Sequence, residues 1–339
     1  MVDDGPDGVT EVQRVARERT WDPDVPPPAW FGRALATPGE RLAVEVDGVR
    51  IAALAWGDRG APTLVLVHGG AAHAQWWAPL APLLADRHRV VALDMSGHGE
   101  SGRRDTYSVT TWADEVLAVA DAAGGSGRPV VVGHSMGGFV TIATAALHGS
   151  DLEGAIIIDA PVRRPDPETM EGVSGGMFRA PKVYADLAEG MRHFHLVPPQ
   201  PCANGWLVAH VARHSLHEVD GGVTWKFDPG VFTRRSGPNN PSDYGPLLAR
   251  AACRVAIVNG AGSAIVSEDT RAYMAELLAD SPAATAGVPF VEVPEAQHHV
   301  LLDQPLALVT ALRAVLGSWR PVGSAPVPVA VPGESSRGA

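Results

Sequence analysis

Apolar runs rich in β-branched residues recur along the chain, spaced widely enough for a helix between successive runs. TLVLV at 63–67, VVAL at 90–93, PVVVG at 129–133, AIIID at 155–159, RVAIV at 254–258 and PFVEV at 289–293 read as strands buried on both faces. Helical patterns lie near 75–85, near 110–122 and up to about 148, and one follows each of the last two strands. This alternation predicts βαβ units, hence the α/β class: a mostly parallel, doubly wound sheet with helices on both faces. Ahead of the series, AVEV at 43–46 and RIAALAW at 50–56 flank Asp47 and Gly48, the signal of a type I′ hairpin.

The alternation breaks between about 161 and 245, where proline, aromatics and histidines mix with short helical patterns such as GWLVAHVARHSLHEV. The reading is an inserted helical cap at 161–245 that interrupts a core made of 41–160 and 246–320. Ligands of open α/β sheets bind beyond the carboxyl ends of the strands, so an insertion leaving from such an end would cover the site. Residues 1–40, rich in charge and carrying PPP at 26–28, read as an N-terminal extension, and 321–339 have the composition of a disordered tail.

Composition narrows the choice of partners. A net charge of -11 argues against a nucleic-acid or anionic-membrane footprint and favours a small-molecule substrate. The 2 cysteines, Cys202 and Cys253, have no CxxC spacing and read as ordinary reduced thiols. The acidic start MVDDGPDGVT lacks a basic and then apolar leader, and no run of about 18 apolar residues occurs, which predicts a cytoplasmic protein.

GxSxG occurs twice, as GHSMG at 133–137 and GVSGG at 172–176, and context separates the copies. Ser135 follows a strand and precedes the helical FVTIATAAL, so it sits on a strand-to-helix turn whose strained backbone needs glycine on either side and pushes the hydroxyl out. Ser174, in PETMEGVSGGMF, has no strand before it and reads as a loop serine. A helix starting at Ser135 aims backbone N–H groups at a developing oxyanion. The Met136 N–H is one expected donor, and the Gly70 N–H, in the HGG loop at 68–70, is the other.

Taken together, VLVHGG at 65–70, DMSGHGES at 94–101, VVGHSMGG at 131–138 and AQHHVLLDQP at 296–305 resemble the α/β-hydrolase superfamily, in the branch whose members carry a cap after the sixth strand. The resemblance spans about residues 41–318 and implies a serine nucleophile, a late histidine, an acid and an oxyanion hole, with no cofactor or metal. His298 stands seven residues before Pro305, the spacing of the family's catalytic histidine, with His299 next in line. His68 and His98 fall at motif positions that shape loops, and Asp94 ties down its own loop. His210, His214 and His217 fall at i, i+4 and i+7 of a helix, a metal-like face that lacks an added carboxylate or thiolate and so reads as a plain cap helix.

The acid is the anomaly. Relatives commonly carry it just after the strand equivalent to VAIV, where this chain has Gly262 and Ser263. In some members it follows the sixth strand instead, and there AIIIDAP places Asp159, which could otherwise serve as a turn former. Glu268, Asp269 and Glu295 are the fallbacks.

The reaction expected is hydrolysis of an ester, lactone or similar acyl group in a small, largely apolar substrate, with Ser135, His298 and Asp159 as triad. Trp225, Phe227 and one of Trp76 and Trp77 are candidates for the pocket lining. A serine at the elbow argues against haloalkane or epoxide chemistry, which needs an ester on a carboxylate. Carbon–carbon bond hydrolysis, acyl transfer, lyase chemistry and a noncatalytic ligand-binding role stay open, because one constellation hosts many chemistries.

Overall fold

The computed structural model describes residues 22, 24–165, 182–235 and 243–319. The expected disordered tail, Ser174 and most of the extension therefore lie outside the described residues. Strand β1 (Glu40–Val46) pairs antiparallel with β2 (Val49–Trp56), and Asp47 and Gly48 at the turn have φ of 48° and 74°, as a type I′ turn requires. Strands β3 (Pro62–Val67), β4 (Arg89–Leu93), β5 (Ser126–His134) and β6 (Gly154–Ile158) follow, then a separate hairpin of β7 (Leu216–Val219) and β8 (Gly222–Trp225). Strands β9 (Arg254–Gly260) and β10 (Phe290–Val293) complete an eight-stranded sheet in the order β1-β2-β4-β3-β5-β6-β9-β10, parallel from β4 onward.

The helices are α1 (Ala29–Leu35), α2 (Val109–Ala122), α3 (Met136–Leu147), α4 (Leu187–Arg192), α5 (Gly205–His214), α6 (Glu268–Ala279) and α7 (Pro305–Ser318), with shorter turns between them. Successive strand residues point to opposite faces, and both faces are dry. Leu64, Leu66, Val130, Val132, Ile156 and Ile158 pack on one side with α5 and α7, whereas Val65, Val67, Val131, Ala155 and Ile157 pack on the other with α2 and α3. Each fully buried Val, Leu or Ile adds about 1.5–3 kcal/mol, which is why the strands read as unbroken apolar runs rather than as alternation.

Register brings the strand ends level with one another. Val67 is paired with Gly133, His134 with Ile158, and Ile158 with Val258, so β3, β5, β6 and β9 end side by side. Their carboxyl-end loops form one cluster.

Two expectations need correction. The helix near 75–85 is instead a pair of 3₁₀ turns, Ala74–Trp76 and Ala81–Leu83, because Pro79 and Pro82 lack the N–H groups that an α-helical ladder needs. The insertion after β6 is mixed rather than wholly helical: α5 ends at His214, and His217 lies on β7, so the three histidines do not share a helix face. The inserted segment lies over the carboxyl-end loops, to which it is hydrogen bonded. The Gly99 N–H donates to Lys226 O at 2.7 Å, the Asp228 N–H to Gly97 O at 2.7 Å, and Asn204 Nδ2 to Leu302 O at 2.8 Å. Helix α1, from the N-terminal extension, packs Trp30 and Phe31 edge-on against Trp206 of α5, with ring centroids 5.4 and 4.6 Å apart. No helix among the described residues is long and apolar enough to cross a membrane.

Candidate active site

Ser135 forms the turn between β5 and α3 with φ 55° and ψ -119°, a conformation that costs energy for any residue with a side chain. Neighbouring backbone explains the flanking glycines. A Cβ on Gly133 would lie 2.1 Å from Gly137 O, and one on Gly137 would lie 2.5 Å from both Val67 O and His68 O. The turn is locked into the sheet by the Ser135 N–H, which donates to Ile158 O at 2.9 Å. The serine itself stays partly exposed.

Met136 is the first residue of α3, so its N–H lies outside the intrahelical ladder and points out of the helix start. Across from it stands the loop after β3. A Cβ on Gly69 would lie 3.3 Å from Ser135 Cβ, and one on Gly70 would lie 3.6 Å from the Met136 sulfur and 3.2 Å from the Phe232 ring. Gly69 thus lies beside the serine, Gly70 faces the Met136 side chain, and Phe232 of the inserted segment leans over Gly70.

His298 is carried by the loop between β10 and the short helix Val300–Asp303. Its Nδ1–H donates to Asp159 Oδ1 at 2.9 Å, and its Nε2 is 3.1 Å from Ser135 Oγ and free to accept that hydroxyl's proton. One tautomer satisfies both bonds. The side chains of His298 and Asp159 are 2% and 0% exposed, so water does not compete for their contact.

Several groups hold the loop. His134 Nε2–H donates to the His298 carbonyl at 2.9 Å, and Gln200 Oε1 accepts from the His299 N–H at 3.0 Å. The Gln200 amide in turn donates to Asp303, which also accepts from the Gln297 N–H at 2.7 Å. Sequence reasoning assigned no role to His134, Gln200 or Asp303. For His134 the signal lay in plain view inside GHSMG, whereas Gln200 touches the loop across about a hundred residues of chain, a contact no local pattern announces.

Asp159 follows β6 with φ 46°, a left-handed conformation that Asp tolerates better than most residues. Its carboxylate accepts from three donors: His298 Nδ1–H, the Gly260 N–H at 2.9 Å on Oδ2, and Ser263 Oγ–H at 2.7 Å on Oδ1. The other acids lie elsewhere. Glu268 and Asp269 occupy the exposed first turn of α6, capped by Ser267, and Glu295 is exposed on the turn before the histidine.

The remaining expected residues sort into structure. His68 donates from Nδ1 to Gly69 O at 2.7 Å and accepts the Met95 N–H at 3.1 Å, joining the loops after β3 and β4. Asp94 accepts from the Ala74 and Glu100 N–H groups at 2.6 and 2.9 Å, and burial pushes its carboxyl up to about 6. Trp76 and Trp77 are both buried, with Trp76 against the His299 ring, so neither is an open pocket wall. Trp225 lies on β8 against Tyr184, and Phe227 bridges to His98. Both thiols are free and buried, and burial pushes each up to about 12.

Burial also keeps most of the imidazoles around the loops neutral. Desolvation brings His134 down to about 3, helped by its neighbour His298, and His98 to about 4. His134, His298 and His299 bring ring nitrogens within 4.8 Å of one another. As a ligand set they fit poorly, since both His298 nitrogens are engaged and the His134 Nε2–H faces a carbonyl.

A buried acid, an imidazole and a serine on a strained turn, in that order of contact, suit acyl transfer. The chain is similar to hydrolases of several kinds. The 2-(acetamidomethylene)succinate hydrolase of Mesorhizobium japonicum is 24% identical over 240 residues, covering 70% of this chain and 82% of that protein. Protein phosphatase methylesterase 1 of Bos taurus is 40% identical over 133 residues, but the match spans only 37% of this chain and 35% of that protein. The crystal structure of E-2-(acetamidomethylene)succinate hydrolase superposes with a TM-score of 0.68 at 22% identity, over 82% of this chain and 99% of that one. The strand order seen here has its counterpart in sequence, because residues 64–312, from β3 through most of α7, match the alpha/beta hydrolase family, and the chain belongs to that family.

Proposed function

We propose that the protein is a serine hydrolase that cleaves an ester or lactone of a small, largely apolar substrate through an acyl-enzyme on Ser135. The observation that carries this reading is the unbroken chain of contacts from Ser135 Oγ through His298 to Asp159, at 3.1 and 2.9 Å. Ser135 Oγ attacks the carbonyl as His298 Nε2 takes its proton, and Asp159 holds the resulting imidazolium. The Gly70 and Met136 N–H groups receive the oxyanion, and His298 returns the proton to the departing alkoxide. Water then repeats the sequence on the acyl-enzyme and frees Ser135.

The apolar preference rests on what surrounds the serine: Met136, the Phe232 ring against Gly70, and Phe139 one helical turn along, stacked on Tyr244 at 4.4 Å. Phe232 belongs to the inserted segment, which acts in this reading as a cap over the site.

A fluorophosphonate probe tests the nucleophile. Wild-type protein should be labelled at Ser135 and Ser135→Ala should not, and turnover of p-nitrophenyl esters of graded chain length and of lactones should vanish with the label. Wild-type protein that is folded yet inert to the probe would count against enzymatic function.

A further inference from the structure

The loop after β9 contains no carboxylate close to the imidazole, yet it is not a bystander. Its backbone is pinned at three points: the Ala261 N–H donates to Val293 O at 3.0 Å, the Gly262 N–H to Ala296 O at 2.8 Å, and the Ser263 N–H to Gly260 O at 3.1 Å. The Ser263 hydroxyl is equally constrained. Its oxygen accepts from the Ile265 and Val266 N–H groups at 3.3 and 3.1 Å, which leaves its own hydrogen directed at Asp159 Oδ1, 2.7 Å away. That is the same oxygen that receives His298 Nδ1–H.

We infer that Ser263 is a positioning residue: it fixes the Asp159 carboxylate in the rotamer that holds His298, so the loop after β9 keeps a share in the triad through a donor instead of an acid. The inference rests on Asp159 being the triad acid. Without the hydroxyl, Oδ1 keeps one donor and Oδ2 keeps the Gly260 N–H, so the carboxylate can pivot about that remaining anchor. The imidazole then spends less time aligned with Ser135. Because Ser263 is one residue removed from the imidazole, the loss should fall on the chemical steps and not on substrate binding.

Steady-state kinetics of Ser263→Ala, Ser263→Thr and Asp159→Asn on one ester, with fluorophosphonate labelling rates, separate the possibilities. Ser263→Ala should lower kcat about 3- to 20-fold with KM within about twofold, a part of the worth of one lost hydrogen bond to a charged group, because the Gly260 N–H still holds the carboxylate. The labelling rate at Ser135, normalised to titrated active sites so that unfolded protein does not count, should fall by the same factor. Ser263→Thr, which keeps the hydroxyl, should recover at least half of the wild-type kcat. An unchanged kcat in Ser263→Ala, a loss confined to KM, or equal losses in the Ala and Thr variants would overturn the role of Ser263. An Asp159→Asn variant that turns over like wild type would instead remove the triad reading on which the inference stands.

Discussion

The ends of β6 and β9 are neighbours in the sheet, paired at Ile158 and Val258, and they serve one histidine in opposite ways. Strand β6 stops and turns through Asp159 at φ 46°, delivering a carboxylate. Strand β9 runs on to Gly260 and a pinned loop, delivering two donors, the Gly260 N–H and the Ser263 hydroxyl, to that carboxylate. In the triad proposed above, the imidazole requires a negative acceptor at one point in space, and Asp159 supplies it from the end of β6. In the reading of Asp159 as the triad acid, an acid supplied from one strand end does not leave the other idle, because a buried carboxylate with several lone pairs needs donors and the neighbouring end is where they are found.

The largest expected effect breaks the pair at β6. Asp159→Asn should lower turnover about 10²- to 10⁴-fold with the fold intact, by analogy with other triads that lose the acid's charge. Adding Ser263→Asp to that variant asks whether the β9 end can still host the acid. Ser263 Oγ and His298 Nδ1 both lie within hydrogen-bond reach of one carboxylate oxygen, so a carboxylate at 263 should restore about tenfold of the loss. Kinetics on a single ester substrate measure both steps, and a double variant no better than Asp159→Asn would mean that the β9 loop is too firmly pinned to present an acid.

Much of this contrast was legible in the sequence, and the limits have physical causes. The strands could be read because a parallel sheet buried on both faces leaves unbroken apolar runs, and Ser135 because its turn admits only glycine at 133 and 137. Asp159 is legible because AIIID ends a strand run in the only carboxylate that directly follows either of the two neighbouring strand ends. The partnership of Ser263 with Asp159 did not emerge, since a hydroxyl that donates across 104 positions leaves no periodic trace. The β7–β8 hairpin was missed for a different reason. GWLVAHVARHSLHEV carries helical spacing throughout, but Asp220 and Gly221, the same dipeptide that marks the first hairpin, turn its last residues back on GVTW. There the short-range turn signal overrides the longer periodicity.

Acid probes what stands behind the two strand ends. Six imidazoles stay neutral in the folded protein: His134, whose Nε2–H holds the His298 carbonyl, is brought down to about 3, His98 and His210 to about 4, and His68, His73 and His299 well below their ordinary value. Once unfolded, each takes up a proton near 6.5, so the unfolded chain binds more protons below that pH and stability falls as pH drops toward the folded values. Asp94, Glu115 and Asp303 work the other way, because burial raises their carboxyls and the folded state protonates first. Six imidazoles outweigh three carboxyls, each contributing at most about 1.4 kcal/mol per pH unit. The urea midpoint should therefore decline from pH 7 to pH 5, and a midpoint that stays level or rises would show that the imidazoles titrate in the folded protein or that the buried carboxyls outweigh them.

The smallest effect is expected from the carboxylates that follow β9 in sequence. Glu268 and Asp269 lie only a few residues past Ser263, and by chain position alone they are the natural heirs to a missing acid. Their side chains belong instead to the exposed first turn of α6, where negative charge complements the unpaired N–H groups of the helix start. Ser267 Oγ already caps that start by accepting the Thr270 N–H at 3.2 Å, so the two acids add only a screened electrostatic increment. Glu268→Gln and Asp269→Asn should each leave kcat/KM within about twofold of wild type and lower the thermal midpoint by no more than about 3 °C. A hundredfold loss of turnover in either variant, with Asp159→Asn still active, would move the acid back to the β9 side and reverse the division of labour between the two strand ends.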